Sequence, residues 1–397
     1  MQTEVAGDGQ SPPADDFVHT GPGTLAGRYL RSFWQPICRS QDLSPGRARP
    51  VRIMGEDLTV YRGRTDPHLL AFRCAHRGTQ LSTGWVEDDN IRCFYHGWKY
   101  DGSGQCIEQP AEPEPFCQRI KIRSYPVQEY LGLIFAYLGE GDAPELPRYP
   151  DFEADGVLEF QTLYRACNYF NTVENEVDSV HVSFAHRKSR PGVANQPPPL
   201  VAGDETDWGI EQRYTYASAN GEVVKVSYLV MPNIKYGQMP PTTVYETGPG
   251  DDIRWLVPID DTSHLYFVVH LSHVTGDAVR LFQEHRAGDR GTLNPWTADL
   301  SAEILAGRRR VQDIDEKTDG VPIIQLQDDV AQTGQGAIAD RVEEHLGRSD
   351  VNVRLLRKVF ERELRALAEG RPLKHWIRGS LQAHRPIIAA EDPRLTI

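Results

Sequence analysis

The sequence predicts an α+β protein in two parts, a small all-β unit over about residues 45–140 and a larger unit in which strands precede helices. Three observations carry this. Apolar residues alternate with a period of two from Val51 through the early chain. A stretch at 140–155 with three prolines, a glycine and several acids then reads as a linker. Beyond it, alternating strands run to about residue 271, and an amphipathic helix pattern comes only near the end.

Residues 1–22 are polar and rich in Gly, Pro and Asp, so they are expected to be a mobile N-terminal segment. In 25–37, Tyr29, Leu30, Phe33 and Trp34 recur at helical spacing and predict a short helix. Val51, Ile53, Leu58 and Val60 around Gly55-Glu56-Asp57 predict a hairpin. A strand at 69–72 follows, then a turn at Asp101-Gly102-Ser103-Gly104 and an irregular, proline-containing stretch at 107–117. Ile120 and Ile122 alternate with charged residues, and 131–138 reads as a buried strand. The domains are accordingly expected at 23–150, with the N-terminal helix ahead of a cluster domain at about 45–140, and at 151–397. In the second, 158–164, 210–216, 223–230, 244–245, 255–257 and 264–271 read as strands. The second and third of these join through Ser218-Ala219-Asn220-Gly221, a hairpin signal. Leu355, Leu356, Val359, Phe360, Leu364 and Leu367 form one stripe of a helix at 351–369, stopped by Gly370.

With 397 residues, 39% apolar and 25% charged, the chain has ample core for two or three domains of ordinary globular composition. A formal net charge of −13 argues against nucleic-acid binding. The apolar stretch at 131–138 is far too short to span a bilayer, and the first residues show neither a basic region nor an apolar run, so a cytoplasmic protein without a signal peptide is expected. Six cysteines, at 38, 74, 93, 106, 117 and 167, show no framework spacing. Buried free thiols are the expectation for those outside a metal site, in preference to a Cys106–Cys117 disulfide.

The chemistry starts at Cys74-Ala-His76, followed after sixteen intervening residues by Cys93-Phe-Tyr-His96-Gly97-Trp98. Two thiolates and two imidazoles on two short loops fit a structural zinc, or a [2Fe–2S] centre in which two His replace two Cys on one iron. Zinc modules usually keep two to four residues between paired ligands, whereas the first pair here keeps one. Glycines 78, 84, 97, 102 and 104 suit tight turns that bring backbone amides close to sulfur.

A second constellation lies at Glu174, Asp178, His181 and His186. The first three sit at i, i+4 and i+7, which on one helix is one face. His186 is five residues past His181, about 140° around a regular helix, so both rings reach one metal only where the helix bulges or ends. The bland reading is a solvated, salt-bridged helix face. The functional one is two His plus a carboxylate on Fe(II), with positions left open for O₂ and substrate.

The first stretch resembles the Rieske motif, C-x-H then C-x-x-H. The second resembles the catalytic motif of Rieske non-haem iron oxygenases, an acid, then Asp, His and His at the spacing found here. The segment Gln327-Asp328-Asp329 through Asp340-Arg341 to Gly347 resembles the closing segment of phthalate-dioxygenase-like alpha subunits, in which a Gln-Asp pair stands twelve residues before an Asp-Arg. Gly27 to Pro36 and Pro110-Ala-Glu-Pro113 extend the likeness to nearly the whole chain, and Thr333 departs from it where relatives often carry an acid. The resemblance implies an N-terminal all-β Rieske [2Fe–2S] domain held at Cys74, His76, Cys93 and His96, and a C-terminal helix-grip (START-like) catalytic domain. It implies mononuclear Fe(II) on His181, His186 and an aspartate, with Asp178 bridging the two centres. Counting back from Asp340 selects Asp328 over Asp329. It further implies a homotrimer that takes electrons from a separate NAD(P)H-dependent reductase, with or without a ferredoxin, and uses O₂ to hydroxylate, dihydroxylate or demethylate a small aromatic or similarly planar substrate. The competing readings are a Rieske-type electron carrier, which leaves the second constellation unused, and a zinc-stabilised ligand-binding protein of the helix-grip fold.

Among other residues, His270 and His273 fall on opposite strand faces and are not expected to pair on a metal. His345 is read as structural, Trp98 as packing beneath the cluster loop, and Arg254 as a surface ion pair unless it faces inward, where it would clamp a carboxylate.

Overall fold

A computed structural model describes residues 16–189, 197–218, 221–239, 250–290 and 297–378. Near the N-terminus three small antiparallel sheets form. Ala48–Ile53, Glu56–Arg62, Pro67–Ala71 and Ser124–Tyr125 make one. Trp85–Glu87, Asn90–Arg92, Lys99–Tyr100 and Cys106–Glu108 make the second, and Gln35–Arg39 with Leu133–Ala136 and Val127–Tyr130 the third. The first hairpin turns at Met54 and Gly55, both at positive φ, where glycine is permissive. The second sheet has its own small core of Leu70, Leu81, Ile91, Trp98, Tyr100 and Ile122, which also takes in Cys74 and Cys93.

The C-terminal part is a seven-stranded antiparallel sheet. In spatial order its strands are Val157–Arg165, Ser263–Ser272, Gly250–Asp260, Ile234–Met239, Gly221–Val230, Gly209–Ser218 and Leu200–Glu205. The helix Tyr169–Val177 begins where the Asn168 side chain accepts the Phe170 N–H at 2.9 Å, and it buries Tyr169, Phe170, Val173 and Val177. Val351–Ala368 lays Leu356, Val359, Phe360 and Leu364 against it, with Phe170 and Phe360 rings 4.9 Å apart. Truncating a buried Phe such as Phe360 costs roughly 3–5 kcal/mol. A third helix, Ile323–Thr333, supplies the remaining wall of the site.

Several expectations change. The first helix ends at Arg31, and Ile37 belongs to a strand, because Gln35–Arg39 pairs with Leu133–Ala136. That helix packs on the C-terminal part, Tyr29 lying 5.6 Å from Phe360 and accepting the Trp376 Nε1–H at 3.1 Å. One core therefore runs across the boundary expected near residue 150, joining Trp34 and Phe135 to Trp255. Residues 16–22 are not loose: Phe17 is buried against Phe170, and Thr20 N donates to Asp261 Oδ1 at 2.8 Å. The strand expected at 244–245 lies outside the described residues. The cysteines are free thiols, Cys106 and Cys117 included.

Candidate metal centres and substrate cavity

Two loops built alike carry the first ligand set. Gly78 N donates to Cys74 O, and Gly97 N donates to Cys93 O, both at 3.0 Å. These turns need left-handed residues, and Gly78 and Gly97 sit at φ +74° and +76°. A Cβ at Gly97 would also meet Pro110 Cγ at 2.8 Å. The His76 and His96 rings lie 4.5 Å apart, and Trp98 stacks on His76 at 4.7 Å, the packing role expected of it. Cys74 and Cys93 are buried within hydrogen-bonding reach of each other. Burial pushes the Cys74 thiol up, so a charged sulfur there needs a cation or cluster beside it. Tyr100 OH lies 3.3 Å from Cys74 Sγ, and His76 Nδ1 is buried without a partner. Two soft sulfurs and two imidazoles, one with an orphaned nitrogen, fit a Rieske cluster. Trp85, Phe94, Tyr95 and Phe116 are exposed, with Tyr95 3.8 Å from the His96 ring and Phe116 5.6 Å from Trp98.

The second set differs from its sequence reading in one respect. The helix stops at Val177, so Glu174, Asp178 and His181 do not share a helical face. Asp178 is extended, and its Oδ1 accepts the Val180 N–H at 2.8 Å, a local bond that competes with helix. His181 and His186 then flank the one-turn helix Val182–Ala185. Glu174 points elsewhere, binding Arg341 at 2.7 Å and also Arg357, and so ties the closing segment and the last helix to this one.

His181, His186 and Asp328 converge, their ligating atoms all within 4.8 Å of one another. Asp328 Oδ1 is buried without a hydrogen bond and lies 3.3 Å from His186 Nε2 and 3.6 Å from His181 Nε2. Atoms each about 2.1 Å from one metal stand at most about 4.2 Å apart, so these spacings fit a shared ion. Burial opposes charge on both His181 and Asp328. Nonetheless Asp178 and Asp328 raise the His181 pKa, while His186, Arg165 and His181 hold Asp328 below its usual range. Gln327 Oε1 lies 2.9 Å from His186 Nδ1; accepting from it leaves Nε2 free for a metal. Asp178 Oδ2 lies 3.8 Å from His181 Nδ1, which is itself buried and unpartnered.

Asp329, about 100° further around the same helix, meets other partners. It pairs with Arg165 Nε at 2.6 Å and accepts the Thr297 hydroxyl, and burial raises its pKa despite Arg165. Arg165 also donates to Gln332 Oε1 at 2.6 Å. Sequence reasoning missed Arg165, Thr297 and the role of Gln327; only the last sat inside a recognised segment.

A cavity of about 230 Å³ opens beside Asp328, bounded by the Ile323–Thr333 helix and the sheet face of Glu159, Leu163, Asp252, Tyr266, Val268 and His270. It is smaller than the roughly 300–1,000 Å³ of drug-sized sites and suits a small ligand. Arg254 lines it instead of the outer surface, its Nε 2.6 Å from Asp252 Oδ1 and its Nη1 3.5 Å from Glu176 Oε1. His270 faces this cavity, while His273 pairs with Asp251 at 2.8 Å.

Residues 33–129 match the family model for a Rieske [2Fe-2S] domain. The 5,5'-dehydrodivanillate O-demethylase oxygenase subunit of Sphingobium sp. (strain NBRC 103272 / SYK-6) is 30% identical over 92% of this chain and 82% of that protein. Phenoxybenzoate dioxygenase subunit alpha of Ectopseudomonas oleovorans is 31% identical over 88% of this chain and 84% of its own. Among solved structures, Pseudomonas putida CBB5 NdmA superposes with a TM-score of 0.64 at 22% identity, covering 87% of this chain and 94% of its own, a likeness of fold.

Proposed function

Because the chain belongs to the Rieske non-haem iron oxygenases, as an oxygenase alpha subunit, we propose that Cys74, His76, Cys93 and His96 hold its cluster, that His181, His186 and Asp328 hold its mononuclear iron, and that Asp178 links the two. It is a terminal oxygenase acting on an aromatic substrate, and such a subunit implies a reductase or ferredoxin partner. One observation carries the ligand assignment: the orphaned Asp328 Oδ1 faces two imidazole Nε2 atoms at 3.3 and 3.6 Å. When bound, the two iron centres supply electron transfer and the activation of O₂.

The chain's own residues do the rest. Gln327 fixes the His186 tautomer, and the Arg165–Asp329 pair fixes which face of the Ile323–Thr333 helix meets the metal. Tyr266 and Val268 form a buried wall beside Asp328, which limits water at the reacting end. The cluster unit at about 45–140 serves as the electron entry, and the remainder from 151 as the catalytic unit. Among the described residues, no hydrogen bond, ion pair or ring contact joins His76 or His96 to Asp178 or His181 of the same chain. With exposed Tyr95 beside His96 and exposed Phe116 beside Trp98, this favours a homotrimer in which the tip of one protomer meets Asp178 of the next. Free thiols favour a reducing, cytoplasmic setting, and no described helix is long and apolar enough to cross a membrane.

Asp178→Asn tests the link. We expect a trimer with both centres filled, a reducible cluster and little product. Mixed trimers of this variant with His96→Ala should regain partial activity, because some interfaces then pair an intact Asp178 with an intact His96. Verified mixed trimers without complementation would place electron transfer within one chain. Metal content separates the competing readings: about three irons per chain fits the oxygenase, about two fits an electron carrier, and a colourless zinc protein defeats both.

A further inference from the structure

The last turn of the Tyr169–Val177 helix is finished by the sheet rather than by the chain that follows it. An α-helix leaves its final four carbonyls without intrahelical partners. Here Asn175 O accepts the Asp178 N–H at 3.2 Å, and the last two carbonyls are met by side chains from distant strands. Lys235 Nζ donates to Glu176 O at 2.5 Å, and Tyr214 Oη stands 3.0 Å from Val177 O. Gln212 lies opposite Ser227 and Leu229 opposite Lys235, so Gln212, Tyr214, Ser227 and Lys235 share one face of the sheet. Lys235 directs its other two N–H groups to Ser227 Oγ at 3.1 Å and Gln212 Oε1 at 3.4 Å. Ser227 Oγ donates in turn to Gln212 Oε1 at 3.1 Å, and Tyr214 Oη lies 2.6 Å from the same oxygen. The single tyrosine proton is therefore shared between Gln212 Oε1 and Val177 O.

Lys235, Tyr214 and Gln212 are all buried. Burial pulls Lys235 down to about 8, so at neutral pH it is still an ammonium, with three acceptors fixing its direction. A position that needed only filling would take an apolar side chain without desolvating a charge. A cation here also meets the negative end of the helix dipole. What this cap holds is the backbone entering Asp178, which follows Val177 directly, is extended, and accepts the Val180 N–H. Ser179, on the other side of Asp178, is within hydrogen-bonding reach of the Tyr214 hydroxyl, so Tyr214 meets the chain on both sides of that aspartate. Asp178 Oδ2 lies 3.8 Å from His181 Nδ1, a buried nitrogen with no hydrogen-bond partner. At that distance small movements of Asp178 decide whether the two are hydrogen-bonded.

Resting on the reading above in which His181 holds the mononuclear iron, we propose that Lys235, with Tyr214, is a positioning residue for that centre: by closing the end of the Tyr169–Val177 helix it sets where Asp178 stands, and Asp178 in turn sets the direction of the His181 ring. Both side chains act through the backbone of the helix end.

Hydrogen–deuterium exchange on the cluster-loaded enzyme reads the cap independently of turnover. Lys235→Met keeps the length of the side chain and removes the ammonium. It should speed exchange at the Asp178 and Val180 amides by at least about tenfold, with the Val351–Ala368 helix and the Rieske EPR signal unchanged. Tyr214→Phe should give the same local pattern at about threefold. Ferrous ion titrated anaerobically into the chelated enzyme should bind about tenfold more weakly to Lys235→Met and to Asp178→Asn, filling both at excess. The double variant should bind it no more weakly than Asp178→Asn alone, because the lysine acts through that aspartate. Losses that add in the double variant would make Lys235 a general stabiliser and overturn the proposal. Unchanged exchange at Asp178 and Val180, or unchanged iron affinity in Lys235→Met, would overturn it too. Where Lys235→Met loosens the whole domain, Tyr214→Phe decides: a local rise upholds the cap, and exchange that is unchanged or raised throughout overturns it. The two failures are distinct. No ferrous ion taken up by the wild-type chain removes the oxygenase reading and the proposal with it, whereas normal iron uptake with unchanged exchange at Asp178 removes the cap alone.

Discussion

At the cluster tip all four candidate ligands lie between residues 74 and 96, on two loops closed by the same Gly-to-Cys hydrogen bond and packed on a small core of their own. At the second centre two candidate ligands flank a one-turn helix and the third arrives on Ile323–Thr333, a helix anchored by a buried ion pair from the next residue, Asp329. The tip is specified by contiguous chain, and the second centre by long-range packing. Damage to the tip should therefore stay local, whereas the second centre should be sensitive to residues that touch no metal.

The largest expected effects test that independence in both directions. Asp328→Ala should lose the mononuclear iron and reduce product formation by more than about a hundredfold, with the Rieske EPR signal unchanged. His96→Ala should abolish that signal while iron still binds at His181, His186 and Asp328. Loss of both centres in either variant would break the comparison.

Next in size is the Arg165–Asp329 pair. Asp329→Ala leaves a buried guanidinium unpaired and should cost about 3–5 kcal/mol in denaturant unfolding. The sequence alone only passes over Asp329 as the iron ligand in favour of its neighbour, so this cost is a structural expectation. Replacing both members by apolar residues should recover much of that stability. Equal loss in the double variant would show that the pair does not act as a unit.

Glu174→Gln comes third. It weakens the contacts to Arg341 and Arg357, so about 1–3 kcal/mol of stability should go, with iron content retained. Loss of iron with unchanged stability would give Glu174 a role at the metal after all.

Tyr100→Phe should have the smallest effect. It removes the hydroxyl 3.3 Å from Cys74 Sγ, which favours the more negative, reduced cluster, so the reduction potential should fall by roughly 50 mV. Protein-film voltammetry reads this directly, and an unchanged potential would remove Tyr100 from the tuning of the cluster.

Much of this molecule was legible from spacing. The period-two strands, the hairpin closing at Ser218 opposite Gly221 and the last helix stopped before Gly370, at φ +66°, all follow from local pattern and turn chemistry. So do the loops of Cys74–His76 and Cys93–His96, because a short closed turn carries its own geometry. The helical face drawn through Glu174, Asp178 and His181 did not survive: periodicity cannot see Asp178 taking the Val180 N–H and ending the helix.

By itself the sequence determined which residue types gather on which short segments, since ligand spacing and turn glycines are local properties of the chain. Only the tertiary structure decided the rest. Asp328 faces two imidazoles while Asp329 faces Arg165, a partner 164 residues away. Arg254, which the sequence leaves free to sit on either face of its strand, turns into the cavity because its register sets it beside Lys235 and Val268. The physical reason is the same in both cases. A side chain's direction on a helix or strand is fixed by what the opposite face must bury, and that partner comes from distant chain.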